Sequence, residues 1–484
     1  MKAKELIKTL GSNYPAYILD DFEVKGLACN SKQVSDNFIF VAIEGTNADG
    51  HGFIKEAIDR GARAVIVNNT QSASCVPGKT CIIAAQDTRH AMANLAAKFY
   101  GNPSSKIKVV AVTGTNGKTT ITYLIEALLK EAGFMPAVIG TVNYRFKNKI
   151  IPSKNTTPGP LELQSLLADA VKENIDYTVM EVSSHALSQE RVAAINFHSA
   201  IFTNLTQDHL DYHNTLEDYF QAKAKLFRDL RGYFAVINND DEYSRRLKEM
   251  IKGPEIITYG IDNESDIMAG GIKLGISHTE FILKSGKKEI RLETGLIGRH
   301  NIYNILATFA WASKEGLSEA VTMPALEKFN FVPGRLERIE TGRDFSVFVD
   351  YAHTEDALTN VITSLRQITG NKIIVVFGCG GERDKTKRPE MGRVVSELAD
   401  YAIITNDNPR SEDPDDIIEG IKSGIKKDNY CVILERKDAI KKALSEAMPQ
   451  DIVLIAGKGH EDYQILGDKR IHFDDREVVK ECLR

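Results

Sequence analysis

The run Val109-Val110-Ala111-Val112-Thr113-Gly114-Thr115-Asn116-Gly117-Lys118-Thr119-Thr120 constrains the fold more than any other stretch of the chain. Its first half is continuously apolar and rich in β-branched residues, the pattern of a strand buried on both faces. Downstream, Ile121, Leu124, Ile125, Leu128 and Leu129 recur at helical spacing until Gly133 supplies a stop. A glycine-rich turn and Lys118 therefore lie at a helix start, where unpaired backbone N–H groups and the positive end of the helix dipole can meet an anion. A nucleoside triphosphate fits this place: Lys118 reaches its outer phosphates and the Thr119 hydroxyl can hold Mg2+. The general phosphate-loop pattern wants glycine six residues before the lysine, and that residue here is Val112.

A chain of 484 residues is too long for one hydrophobic core, and its length predicts about three domains. The formal net charge of −5 and the pI near 6.2, with no long Lys/Arg block, argue against nucleic acid as a partner. Met1-Lys2-Ala3-Lys4-Glu5-Leu6 carries charge where a signal peptide has its apolar segment, and no apolar run is long enough to span a bilayer. The expectation is a cytoplasmic protein with no membrane insertion. Cysteines 29, 75, 81, 379, 431 and 482 form no CxxC pair and are too sparse for a disulfide framework, so all six are expected as thiols.

Strands are expected at 39–43, 64–67 and 80–84, with helices at 54–62 and 90–100. Gly101-Asn102-Pro103-Ser104-Ser105 then marks a boundary. Three β-rich runs at 176–182, 197–204 and 234–239, spaced by helical segments, predict a parallel sheet around the phosphate loop. Val332-Pro333-Gly334-Arg335 breaks that pattern, and strand candidates at 347–349, 373–377, 402–404, 432–434 and 452–455 alternate with helices beyond it. The predicted fold is α/β in three domains. They are an N-terminal one (1–103), a central phosphate-loop, parallel-sheet ATPase-like one (104–332), and a C-terminal Rossmann-like, doubly wound one (333–484).

In such sheets ligands bind where strands end. Glu181 ends the second β-rich run and can serve Mg2+ through water. Thr203-Asn204-Leu205-Thr206-Gln207-Asp208-His209-Leu210-Asp211-Tyr212-His213 follows the next strand, and His209 there is either structural or a metal ligand. A helix over 214–228 opens on a capping pair, Asn214 with Glu217, and its apolar face is Leu216, Tyr219, Phe220, Leu226 and Phe227. Lys223 falls on that face. An inward lysine either snorkels or, with its pKa lowered by burial, adds CO2 to become a carbamate suited to Mg2+.

Asn155-Thr156-Thr157-Pro158, Glu181-Val182-Ser183-Ser184-His185, Asp208-His209-Leu210-Asp211-Tyr212-His213, Ala222-Lys223, Gly298-Arg299-His300-Asn301-Ile302-Tyr303-Asn304, Pro333-Gly334-Arg335, Val349-Asp350-Tyr351-Ala352-His353 and Asp407-Asn408-Pro409-Arg410 occur in one order along the chain. With Gly114-Thr115-Asn116-Gly117-Lys118-Thr119-Thr120, this order resembles the Mur ligase family over essentially the whole chain. The closest likeness is to members that add the third residue of the peptidoglycan stem peptide. The resemblance implies an ATP-dependent ligase that acts on small-molecule substrates as a monomer. ATP would lie on Gly114 to Thr120, with Asn304, Arg335 and Asp350 around the nucleotide. Thr119, Glu181, His209 and a carbamoylated Lys223 would serve Mg2+, and Lys118, Glu181, His209 and Lys223 would be catalytic. Asn155, Thr156, Thr157, Ser183, Gln189 and Arg191 would hold a UDP-muramoyl-dipeptide, with Ser31, Thr46, Asn47 and Ala48 at its uridine end. Two departures from the family pattern are Asn30-Ser31-Lys32, where Asp-Ser-Arg is usual, and Glu355, where proline commonly follows Ala-His-Thr.

The Asp407-Asn408-Pro409-Arg410 form resembles enzymes that add meso-2,6-diaminopimelate to the D-glutamate γ-carboxyl of UDP-N-acetylmuramoyl-L-alanyl-D-glutamate. The chemistry agrees: Arg410 offers a planar fork for the distal carboxylate that lysine lacks, Arg383 adds a positive charge, and Asp407 with Glu461 can hold an ammonium. Gly457 matches the same pocket. A lysine-adding ligase and a phosphate-loop ATPase switch without ligase activity are the alternatives.

Overall fold

The phosphate-loop strand, Lys108–Thr113, lies inside an eleven-stranded sheet between Tyr177–Glu181 and Phe197–Phe202, parallel to both. The structure, a computed structural model, describes residues 1–11, 21–45, 48–68 and 80–483, with backbone alone at 210 and 211. Parallel pairing continues through Pro136–Ile139 on one side and through Phe234–Asn238, Glu255–Gly260 and Ile267–Leu274 on the other. The expected β-rich runs are thus members of one parallel sheet. Its margins turn antiparallel, with Asn143–Phe146 and Lys149–Pro152 at one edge and Thr279–Ser285 and Lys288–Thr294 at the other. The sequence expectations omit these margins because their outermost strands are largely solvated and lack a clear apolar run.

Alternation along the strands sends side chains to two cores. Val110, Val112, Val179, Ile201 and Val236 pack on the helices Lys118–Glu131 and Arg299–Glu315. Val109, Ala111, Met180, Ala200 and Phe202 pack on Pro160–Lys172 and Leu216–Arg228. The last helix is capped one residue later than expected. Asn214 takes a left-handed φ of 62°, unlike the extended backbone of a cap residue, and the Thr215 hydroxyl accepts from the Asp218 N–H instead.

Upstream, Gly26–Ala28, Phe38–Val41, Ala62–Asn68 and Cys81–Ala85 form a parallel sheet in sequential order. The helix expected over 54–62 stops at Asp59 because the backbone turns at Gly61 (φ 105°) and Ala62 already belongs to a strand. Cys81 is disulfide-bonded, which corrects the expectation of six thiols. Cys75 lies outside the described residues.

Downstream, a six-stranded sheet has the order Glu337–Ile339, Ser346–Asp350, Ile452–Ala456, Ile373–Phe377, Tyr401–Ile404, Tyr430–Val432, parallel except for the first. Phe348, Val375 and Leu454 face the helices Glu355–Arg366 and Lys387–Leu398, whereas Val347, Ile374 and Val453 face Arg436–Glu446 and Asp475–Leu483. Helices thus cover both faces, as the doubly wound expectation requires. The edge strand sits two residues before the expected 432–434, since Val432 and Leu434 are both exposed there and burial does not fix its register.

Candidate active site

The phosphate loop is held by backbone and side chains from three directions. Thr115 N–H donates to the Asn204 carbonyl (2.8 Å) and Asn116 N–H to Asn204 Oδ1 (2.9 Å). Gly117 takes φ 87°, and a Cβ there would lie 2.5 Å from Asn304 Oδ1, so Asn304 seals the loop only because this residue is glycine. Lys118 folds back to donate to the Gly114 and Thr115 carbonyls (3.0 and 2.7 Å).

Glu181 is 1% exposed and accepts three hydrogen bonds from two residues. Thr119 Oγ1 donates to Oε2 (3.0 Å), and Thr141 gives its N–H to Oε1 (2.8 Å) and its hydroxyl to Oε2 (2.9 Å). Among the described residues no cluster of three or more His, Cys, Asp or Glu side chains is arranged as a metal site. The donor set of one carboxylate and one hydroxyl beside a phosphate loop nevertheless fits Mg2+, which takes one or two protein oxygens and completes its shell with phosphate and water.

Lys223 is 2% exposed and donates to the Gly114 carbonyl (2.8 Å) while lying 4.5 Å from the Tyr219 ring centroid. Burial, reinforced by Lys118, holds its pKa well below the usual lysine value. The amine therefore belongs to the loop floor and does not snorkel to solvent. His209 is half-exposed on a left-handed backbone (φ 55°), edge-on to His185 at 4.8 Å between ring centroids. Burial, opposed by Asp208 and helped by His185, Lys118 and Lys223, pushes its pKa down to about 4, which leaves a neutral imidazole at neutral pH.

The residues expected around the dipeptide are contiguous. Thr156 Oγ1 is 3.1 Å from Thr141 Oγ1, the Thr157 hydroxyl donates to the Glu181 carbonyl (2.9 Å), and the Ser183 N–H donates to Thr157 Oγ1 (3.0 Å). Arg191 donates to the Thr157 carbonyl (2.8 Å) and to Gln189 Oε1. The exposed Asn155 joins them through its carbonyl, which accepts from Tyr144 Oη (2.6 Å). Ser31 lies apart, on the N-terminal sheet, donating to Glu56 Oε2 (2.7 Å). Ala48 is nearby in the chain, and Thr46 and Asn47 fall outside the described residues.

From the C-terminal sheet, Arg335 Nη2 donates to Thr119 Oγ1 (3.2 Å) with its guanidinium 4.7 Å from the Tyr351 ring centroid. The half-buried Asp350 accepts the N–H groups of Leu336 and Ala352 (2.6 and 2.7 Å), so it shapes the chain around Arg335. Leu336 pays for that bend with a φ of 43°. Asp407 and Asn408 are buried, and a Cβ at Gly457 would lie 2.8 Å from Asp407 Oδ2. Asn408 Nδ2 donates to Glu461 Oε2 (3.0 Å). Arg410, on a left-handed backbone (φ 54°), donates to the Gly381 carbonyl (2.6 Å), and Pro409 lies between. Arg383 is exposed on the rim of this pocket, where its Cγ would be 3.7 Å from a Cβ at Gly380.

Profiles of the Mur ligase family match three segments of the chain: its catalytic-domain profile at 23–100, the middle domain at 112–312, and the glutamate ligase domain at 334–459. The UDP-N-acetylmuramoyl-L-alanyl-D-glutamate–2,6-diaminopimelate ligase 1 of Clostridium acetobutylicum is 45% identical over 464 residues, 96% of this chain and 95% of the relative. The chain belongs to the Mur ligase family. A second Mur ligase, named as the 2,6-diaminopimelate ligase of Geobacillus thermodenitrificans, is 42% identical over 490 residues, 99% of each chain. A solved structure named for the same enzyme superposes with a TM-score of 0.69 at 33% identity, covering 95% of this chain and 94% of that one. The Thermotoga maritima MurF ligase in complex with ADP shares the fold, at a TM-score of 0.61 and 21% identity.

In this Mur ligase three residues at the site escape the sequence reading. Thr141 orients Glu181 from a short connection with no motif of its own. Asp356 Oδ2 accepts from Asn116 Nδ2 (3.0 Å), Thr206 Oγ1 (3.0 Å) and Asn360 Nδ2 (3.1 Å), and so joins the C-terminal sheet's first helix to the phosphate loop. Lys458 is buried beside Asn408 and Glu461. Asp356 follows Glu355 directly after Ala352-His353-Thr354, and a charge in a first helical turn reads as dipole compensation until its distant partners are seen.

Proposed function

We propose that the chain is an ATP-dependent ligase that joins meso-2,6-diaminopimelate to the D-glutamate γ-carboxyl of UDP-N-acetylmuramoyl-L-alanyl-D-glutamate, a step in peptidoglycan precursor synthesis. The observation that carries this reading is that one phosphate loop is bonded both by Glu181 of the central sheet and by Arg335 and Asp356 of the sheet that bears the Arg410 pocket. The names of full-length relatives at 42–45% identity support it. The domain limits that go with it are 1–103, 104–332 and 333–484. The enzyme is read as a monomer that acts on these small-molecule substrates in the cytoplasm.

The γ-carboxylate attacks the γ-phosphorus of ATP bound on Gly114 to Thr120, with Asn304, Arg335 and Asp350 around the nucleotide. ADP leaves and an acyl phosphate forms. The neutral amine of diaminopimelate then attacks the acyl carbon; phosphate leaves with the bonding pair and the amine loses its proton. Lys118 balances charge on the transferring phosphoryl group. Thr119 and Glu181 would hold one Mg2+, and His209 with carbamoylated Lys223 would serve a second; such ions would add charge neutralisation at the phosphates. The low-pKa Lys223 amine adds CO2, releasing a proton, to become that carbamate. Asn155, Thr156, Thr157, Ser183, Gln189 and Arg191 hold the dipeptide end, and Ser31, Thr46, Asn47 and Ala48 the uridine end. Asp407, Asn408, Pro409, Arg410, Arg383, Gly457 and Glu461 hold diaminopimelate. Closure of the C-terminal unit assembles the site.

Phosphate release is measured with ATP and the UDP-dipeptide, without an amino acid, then with diaminopimelate, then with L-lysine. Release that depends on the dipeptide and diaminopimelate together is expected. Preference for lysine would make the chain the lysine-adding enzyme, and release indifferent to both would make it an ATPase alone.

A further inference from the structure

Lys458 has no role in the reading above, yet it is fully buried (0% exposed) at the end of the strand Ile452–Ala456, inside the amino-acid pocket. A buried ammonium is costly unless paired. Its Nζ donates to Glu461 Oε2 (3.1 Å) and lies 3.4 Å from Asn408 Oδ1. The Asn408 amide spends its own donor on the same Glu461 oxygen (3.0 Å) and its oxygen also on the Ile465 N–H (2.9 Å). Asn408 is thus a brace that fixes Lys458 and Glu461 together. Other buried cations of this unit are already balanced, Arg388 by Glu412 and Arg436 by Asp475, each at 2.8 Å.

The consequence concerns which charges stay unspent. Lys458 offsets the charge of Glu461, which remains a hydrogen-bond acceptor in the pocket; among the described residues this leaves Arg410 bonded only to carbonyls and Asp407 without a salt bridge, its neighbour Arg436 being already paired with Asp475. One positive and one negative group suit an ammonium and a carboxylate on the same carbon. We propose that Lys458 is a specificity-determining residue: by neutralising Glu461 it makes the pocket select an amino acid whose distal centre is zwitterionic and reject one whose distal end is an ammonium alone. This rests on the proposed amino-acid ligase reading. Without Lys458, Glu461 would present a second free carboxylate and welcome a lone ammonium.

The test measures kcat/KM for meso-diaminopimelate and for L-lysine in the full-length wild type, Lys458→Met and Lys458→Gln, with KM for ATP in each and melting temperature as the check on folding. Glutamine keeps hydrogen-bonding capacity toward Glu461 and Asn408 while removing the charge, so it serves if methionine does not fold. The expected result is a fall of at least about tenfold in the diaminopimelate-to-lysine ratio, with lysine use rising in absolute terms and KM for ATP unchanged. The double variant Lys458→Met/Glu461→Gln, which removes both charges, should lose the gain in lysine use. A folded single variant that discriminates like the wild type, or loses activity toward both amino acids equally, overturns the proposal. A wild type that ignores diaminopimelate would instead overturn the ligase reading on which it stands.

Discussion

Lys118 and Lys223 donate to one oxygen, the carbonyl of Gly114, at 3.0 and 2.8 Å. Two ammonium groups converging on a single acceptor repel each other in a buried place, and Lys223 bears the larger share, its pKa lowered first by burial and then by Lys118. Its folded pKa lies below the ordinary 10.5, so between the two values the unfolded chain binds more protons and stability rises with pH.

Lys223→Met should therefore raise the melting temperature in CO2-depleted buffer near neutral pH and flatten the rise in stability that wild type shows as pH climbs toward the ordinary lysine value of 10.5, while abolishing ligation. Lys223→Ala should also be inactive, and acetate should partly restore it by standing in for the carbamate. Calorimetry and a rescue assay read these outcomes. A destabilised methionine variant would overturn the repulsion argument, and failed rescue with Mg2+ binding intact would count against the carbamate.

Glu181→Gln keeps the shape of a side chain whose Oε1 takes the Thr141 N–H, and its new amide can donate to the Thr119 and Thr141 hydroxyls. Folding should survive. The Mg2+ concentration for half-maximal activity should rise about 10- to 100-fold, measured by titrating Mg2+ at saturating ATP. An unchanged requirement would remove Glu181 from the metal.

Asp356→Ala deletes the acceptor shared by Asn116, Thr206 and Asn360. These bonds tie the C-terminal unit to the loop without touching the dipeptide cluster, so kcat should fall about 10- to 100-fold with little change in KM for the UDP-dipeptide. Steady-state kinetics decide; a KM effect alone would mean that Asp356 does not govern closure.

Much of this was readable in the chain because strand and helix periods are strong around Val109 to Leu129, and because groups at strand ends cluster whatever the loops do. The inward position of Lys223 followed from helical spacing alone. What escaped depends on partners far away in sequence. Asp356 meets Asn116 across 240 residues, and Thr141 looks like any loop threonine until Glu181 is folded against it. The edge hairpins and the shifted strand Tyr430–Val432 lack the two-sided burial that makes a strand visible. The cap at Thr215 turned on one backbone angle, at Asn214.

Arg410 is held open by its own backbone: a left-handed φ of 54° and bonds from Nη1 to the Gly381 and Asn408 carbonyls fix the guanidinium without giving it an anion. A planar fork so placed is prepared for a carboxylate. Arg410→Ala should cost diaminopimelate about 3 kcal/mol of kcat/KM, roughly a hundredfold, and leave the weak use of L-lysine nearly unchanged, because lysine has no distal carboxylate to lose. Arg410→Lys, which keeps charge and loses the fork, should fall between the two. If both substrates weaken equally in Arg410→Ala, the arginine only supports the Gly381 turn and the distal carboxylate is read by another group.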